Sequence, residues 1–454
     1  MAVVQAWDAP LPRALADWLL LAATFLLPLS AAGTIELGFT ITISYVLGGV
    51  AAVVGFPSVI RGSLRLPRWL LCAAFGLLAV YALGVVMGSD LGLSSSTGRS
   101  RFRDVVYFLD LALGLAIMAL MVDFVGRRRT PRPLMACLSA GAAVAATYAA
   151  YQWLAQHYGW PLRDVVNALN SDGVTTGDRD QGPGLLGWER VRGTFKEPLL
   201  LASYLALSLP VTVVLAVSAD RRAKLAWTAC AVVITLTLVL TVSLVAWAAL
   251  FLATLVVASI WAVQRGKPRM AGILGAACAM ALAVGPTVFV DPSALSTVTG
   301  RSKETLRLTS GNRTEAWARA AVVWSERPMT GFGPGQSAVR LAYRPDLGPA
   351  VDAPITFGSA QGLWAAALID GGLVALFAWT ALLASAALFV GRSLLLRNDP
   401  LLLGCAVGGL VAAIVSQLSG DRLDLRVWFA WGLVLAAASL MSQQQPRDRS
   451  ECPD

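Results

Sequence analysis

Two stretches of the chain gather charged residues in patterns that could do chemistry, and a third holds a glycine-rich turn. The first reads Trp188-Glu189-Arg190-Val191-Arg192-Gly193-Thr194-Phe195-Lys196-Glu197-Pro198 and runs straight into an apolar segment. Pro198 suits the first position of a helix, where its missing N–H leaves no bond unmade. Such a helix start presents unpaired N–H groups and a partial positive charge, and Arg190, Arg192 and Lys196 add full charges beside it. The combination suits an anion, phosphate above all. The same residues also fit simple contacts with lipid headgroups. The second stretch is Ser310-Gly311-Asn312-Arg313-Thr314-Glu315-Ala316-Trp317. Asn312 can cap a helix and Glu315 can reach back to it, giving a helix that runs to Arg327 and stops at Pro328. Trp317, Ala321 and Trp324 share one face of that helix, which suits a membrane surface. Arg313 stands in its first turn, where the dipole disfavours a cation, so either an anion visits or the arginine is a plain surface residue. The third stretch, Gly331-Phe332-Gly333-Pro334-Gly335-Gln336, reads as a rigid turn. No strand–helix–strand unit surrounds it, which argues against a dinucleotide loop.

The elements that must carry these stretches are membrane spans. Of 454 residues, 57% are hydrophobic and only 14% charged, well below the roughly 25% of soluble domains. The expected fold is all-α: a polytopic membrane protein of about twelve transmembrane helices. Apolar runs near 20 residues fall at 14–32, 36–57, 69–87, 104–125, 134–154, 198–218, 225–241, 243–263, 270–290, 371–391, 400–418 and 427–441. The first run reads as a span and not as a cleaved signal. Residues 1–441 form one transmembrane domain, and 442–454 form a polar tail. Short basic loops occur around Arg61, Arg128, Arg222, Lys267 and Arg397, and with twelve spans all of them fall on one side with both termini. The positive-inside rule makes that side cytoplasmic. Two long loops, 155–197 and 291–360, then face outward, where long connections usually carry function. The net charge of +9 lies in these short clusters, so nucleic acid is not an expected partner. Six scattered cysteines and a single histidine offer no metal site. That histidine, His157, sits with Trp153, Tyr158 and Trp160 in what reads as an interfacial aromatic belt.

Arg192-Gly193-Thr194-Phe195 before a span, then Gly311-Asn312-Arg313-Thr314-Glu315-Ala316-Trp317, then Pro328-Met329-Thr330-Gly331-Phe332-Gly333-Pro334-Gly335, together resemble the O-antigen ligase and O-antigen polymerase family. The resemblance covers roughly 192–390. It implies an inverting, metal-independent glycosyltransferase without a cofactor, in the cytoplasmic membrane. Its partners would be a polyprenyl-diphosphate-linked glycan donor, a glycan or glycolipid acceptor, and the bilayer. Arg192 matches the family's arginine before a span and is assigned to the substrate diphosphate, with Arg190, Lys196 and Arg313 in support. A departing diphosphate gains charge, and fixed arginines stabilise it.

The chain departs from the family at two places. Gln361 stands where relatives carry a histidine thought to activate the acceptor hydroxyl, and glutamine cannot take a proton at neutral pH. Leu244 follows Ser243 where many relatives carry an arginine. The chain would then either rely on its arginines as a polymerase-like member or take a base from Asp370, Asp352 or Glu315, with a helix-capping role for Asp370 as the alternative. Two other readings stand beside the transferase: a transporter or flippase of lipid-linked glycan, and a catalytically inactive relative. A transporter should place ionisable residues at mid-membrane, where this chain has little beyond Asp110 and Gln417.

Overall fold

The computed structural model describes residues 11–29, 35–36, 40–61, 66–87, 99–161, 190–195, 197–290, 316–337, 362–397, 399–418 and 424–443. These form an all-α molecule. In chain order the long helices are α1 (Leu11–Leu26), α2 (Ile43–Arg61), α3 (Arg68–Met87), α4 (Arg99–Arg128), α5 (Arg132–Tyr158), α6 (Pro198–Ser218), α7 (Arg221–Leu240), α8 (Leu244–Gln264), α9 (Pro268–Val290), α10 (Leu363–Leu396), α11 (Pro400–Leu418) and α12 (Leu425–Gln443). Among the described residues nine of these, α3 to α8 and α10 to α12, are long and apolar enough to cross a bilayer. The chain is a polytopic membrane protein. Each expected span overlaps one helix, although α1 has only 16 residues and the apolar part of α2 ends at Pro57.

Two boundaries differ most from the sequence reading. The second span was expected from residue 36, but α2 begins at Ile43. Ile35–Glu36 instead pairs antiparallel with Thr40–Ile41, and the Thr42 and Ser44 hydroxyls bond to each other at 2.8 Å. The tenth span was expected from residue 371, because Asp370 looked like its outer limit. α10 begins eight residues earlier, at Leu363, and is broken at Gly371 and Gly372.

Contacts between helix ends bring the basic loops together. Arg127 pairs with Asp17 of α1 at 2.7 Å, Arg132 donates to the Ser218 carbonyl at 3.3 Å, and Gln264 donates to the Arg397 carbonyl at 3.3 Å. The α4–α5, α6–α7, α8–α9 and α10–α11 connections therefore share one end of the bundle, the basic end. The core is densest around α12, which packs on α4 and α11 and is buried almost throughout. Trp428 and Trp431 of α12 and Trp379 of α10 form a cluster of tilted and edge-on rings, with centres 5.4 to 6.5 Å apart.

Candidate functional site

At the end opposite the basic loops, the segment 190–195 is fastened to four helices. Gln152, near the end of α5 and buried, offers its side-chain oxygen to the backbone N–H of Arg192 at 3.3 Å and of Gly193 at 3.0 Å. Gly193 takes a left-handed φ of +57°, and a Cβ there would lie 3.0 Å from that of Ala149, so the turn needs glycine. The Thr194 hydroxyl donates to the Pro28 carbonyl at the end of α1, at 2.6 Å. Arg190 donates through Nε to the Thr241 carbonyl at 2.8 Å, in the turn between α7 and α8. Phe195 is fully buried against Tyr204, and the Arg426 guanidinium lies 4.9 Å from its ring centre. Arg426, at the start of α12 and only 6% exposed, forks onto both Asp424 oxygens and donates to the Leu200 carbonyl at 3.2 Å. Pro198 opens α6 at the expected position, after Glu197 in extended conformation. The arginine-bearing segment is therefore a rigid edge held by four helices and the α7–α8 turn, not a loose loop.

A second construction lies at the same end, around the break in α10. Gly371 and Gly372 leave helical geometry, and the turn 328–333 fills the gap with backbone bonds. The N–H groups of Phe332 and Gly333 donate to the carbonyls of Ile369 and Asp370 at 2.9 and 2.8 Å, and Leu373 N–H donates to the Pro328 carbonyl at 2.8 Å. Gly331, Gly333 and Gly335 all have positive φ, which makes this stretch the rigid turn its glycines implied. One Asp370 oxygen accepts the Ser337 N–H at 2.8 Å, and Gln336 donates to Asp104 of α4 at 2.6 Å. Both carboxylates are 3% exposed. The long second loop is therefore anchored on α4 and α10 by two buried aspartates.

Comparison with known families supplies a match over residues 229–380, to the family described as O-Antigen ligase. That stretch is similar to O-antigen ligase domains. It supports a membrane glycan-processing function of the O-antigen ligase or polymerase type. Among curated proteins nothing matches. The matched stretch opens within α7 and closes within α10, so it includes the α7–α8 turn, the glycine turn and the α10 break; Arg190 and Arg192 precede it.

The expected site residues divide as follows. Arg190 and Arg192 sit together at the bundle end, tied to α7 and α5. Asp370 sits in the second construction, directly before the break in α10, and its carboxylate accepts from Ser337 N–H. Lys196, Arg313, Glu315, Asp352 and Gln361 lie outside the described residues. Of the loop helix that Asn312 was expected to open, residues 316–325 are helical; Ala316, Arg319, Ala320 and Val323 turn inward, leaving Trp317 44% exposed. His157 packs edge-on to Tyr158, which stacks on Trp160. Sequence reading passed over Gln152, Asp104, Asp424 and Arg426. A signal for Gln152 existed: Ala145, Ala149 and Gln152 recur at helical spacing on one inward face of α5. Arg426 carried no such signal, since a cation before a span usually meets the interface.

Proposed function

We propose that the chain is a glycosyltransferase that takes a glycan from a polyprenyl diphosphate carrier and joins it to a hydroxyl of a glycan or glycolipid acceptor. The acceptor oxygen attacks the anomeric carbon, the bond from that carbon to the diphosphate breaks, and the hydroxyl proton passes to a base. The gathering of the basic loops at one end supports a cytoplasmic assignment for that end and for both termini. The 190–195 segment then faces the outer side of the cytoplasmic membrane. The observation that carries the reading is the double hold of Gln152 on the backbone of Arg192 and Gly193. A cation fixed before the reaction stabilises developing charge without reorganising during it. Arg192 is assigned to the departing diphosphate. Arg190 reaches the α7–α8 turn three residues before Leu244, and so brings a guanidinium close to where relatives carry an arginine. Lys196 and Arg313 add charge from the loops. The bond from Ser337 to Asp370 supports an anchoring role for that carboxylate, which favours Asp352 or Glu315 as the base and Gln361 in orienting the acceptor.

The test is Arg192→Ala in cells, read on a gel of surface polysaccharide with expression checked by immunoblot. Loss of the polymer or of its attachment is expected. An unchanged ladder at normal expression overturns the assignment.

A further inference from the structure

Asp110 lies roughly 25 Å along α4 from Arg127 of the basic end, toward the opposite side of a hydrocarbon layer about 30 Å thick. A carboxyl at that depth is costly and points to function unless a structural task accounts for it. Asp104 and Asp370 hold the second long connection, and Asp17 pairs with Arg127. Asp110 holds neither long connection; its hydrogen-bond partner is the Tyr45 hydroxyl of α2. Its neighbours put it where the two constructions meet. On the same face of α4, Tyr107 packs under Gly335 of the glycine turn, and Asp104 beyond it receives Gln336. In the other direction along that face, Gly114 lies against the Trp428 ring of α12 and Ile117 against Gly48 of α2. The Asp110 side chain therefore points into the bundle between α2 and α12, and it is partly exposed there. Asp424 lies near enough to act on it electrostatically, and Arg426, forked onto Asp424, compensates that charge. Arg426 in turn lies 4.9 Å from the ring centre of Phe195, in the segment that carries Arg192.

We infer that Asp110, at the junction of the two constructions, is the group that takes the proton from the acceptor hydroxyl. The inference rests on the transferase reading and adds a carboxylate of the bundle to those named from the sequence, with Asp352 and Glu315 as its competitors. The acceptor O–H bond breaks as its oxygen joins the anomeric carbon. The electron pair of the bond from that carbon to the diphosphate leaves with the diphosphate. The proton forms a carboxylic acid at the Asp110 oxygen away from Tyr45 and passes to water before the next turnover. Tyr45 fixes the orientation of the carboxylate, and the chain gains a base that Gln361 cannot be.

The test follows initial rates of glycan transfer in right-side-out membrane vesicles from producing cells, which carry the protein's own donor and acceptor. Asp110→Asn keeps the shape and can still accept the Tyr45 bond, but it cannot take a proton. Its rate should fall at least about a hundredfold. Asp110→Ala should fall as far and regain rate with added formate, whose carboxylate fits the space left. Tyr45→Phe breaks the tie between α2 and α4 and keeps the carboxylate, so it should lose roughly tenfold or less. Immunoblot and monodisperse elution establish that the variants fold. An Asp110→Asn rate close to that of the unaltered chain overturns the inference. Equal losses in Asp110→Asn and Tyr45→Phe without formate rescue also overturn it, since they mark a plain tie between helices. So does formate rescue confined to Asp352→Ala or Glu315→Ala. Arg192→Ala separates the two claims: full activity there removes the transferase assignment, whereas loss there beside an active Asp110→Asn removes this inference alone.

Discussion

Replacing Gln152 by leucine isolates the feature on which the site depends. The side chain keeps its volume and loses its acceptor, so the N–H groups of Arg192 and Gly193 lose the oxygen they share. Each buried N–H that loses its acceptor costs roughly 1–3 kcal/mol. The 3.3 Å bond from Arg192 is the weaker of the two, which puts the pair at about 2–4 kcal/mol. At 1.4 kcal/mol per factor of ten, opening of the segment becomes roughly thirty- to several-hundred-fold more frequent. The other ties, from Thr194 to Pro28 and from Arg190 to Thr241, remain, so the loosening is local. Hydrogen exchange on the detergent-solubilised protein reads it directly: amides 192 and 193 should exchange faster by that factor while those of α5 and α6 do not. Glycan transfer should fall with it, since an arginine displaced by an ångström loses much of its worth to the transition state. Unchanged exchange at 192 and 193 would refute the claim that Gln152 holds this edge. Faster exchange with full activity would refute the claim that the edge must be rigid.

The α10 break and the charged start of α12 make two further predictions. Gly372 has φ +63° and ψ −156°, a region open essentially to glycine alone, and a Cβ there would run into the Met329 carbonyl. Gly372→Ala should therefore cost at least about 3 kcal/mol and depress the thermal midpoint, whereas Gly391→Ala, in open helix on the same element, should be neutral or slightly stabilising. Arg426→Gln should destabilise by about 2–4 kcal/mol, somewhat below a fully buried pair because Asp424 retains 20% exposure. Arg426→Lys should recover only part of that in the same melt, since lysine cannot fork onto both Asp424 oxygens.

The helices were legible because hydrocarbon imposes one rule on every span: about twenty apolar residues whose backbone bonds close internally. Proline at the head of α6 and glycines in the 331–335 turn were legible for a similar reason, since their conformational limits are local. Reading failed where a polar residue's role depended on a distant partner. Asp370 stands directly before the break in α10, and the partner that meets its carboxylate there, the Ser337 N–H, lies 33 residues away in sequence. Gln152 lies some 40 residues from the segment it holds, and Arg426 some 230 from Phe195. No local pattern encodes those meetings. The charges of the 190–195 stretch were visible, but the partner that consumes Arg190 Nε, a carbonyl at the end of α7, was not.

These distant pairings bear on which kind of membrane protein this is. A transporter uses its intramembrane polar residues along a path and needs them able to change partners. Here Gln152, Asp104 and Asp370 share a different task. Each is buried near the bundle end opposite the basic loops, and each accepts a hydrogen bond from one of the two long connections: Arg192 and Gly193 in the first, Gln336 and Ser337 in the second. Asp110, deeper in α4, is bonded to Tyr45 of a neighbouring helix. Polar groups placed in this way immobilise loops on the bundle. That suits a molecule whose work is done at the membrane surface by fixed charges, and it would hinder one that must open and close around a path through the middle.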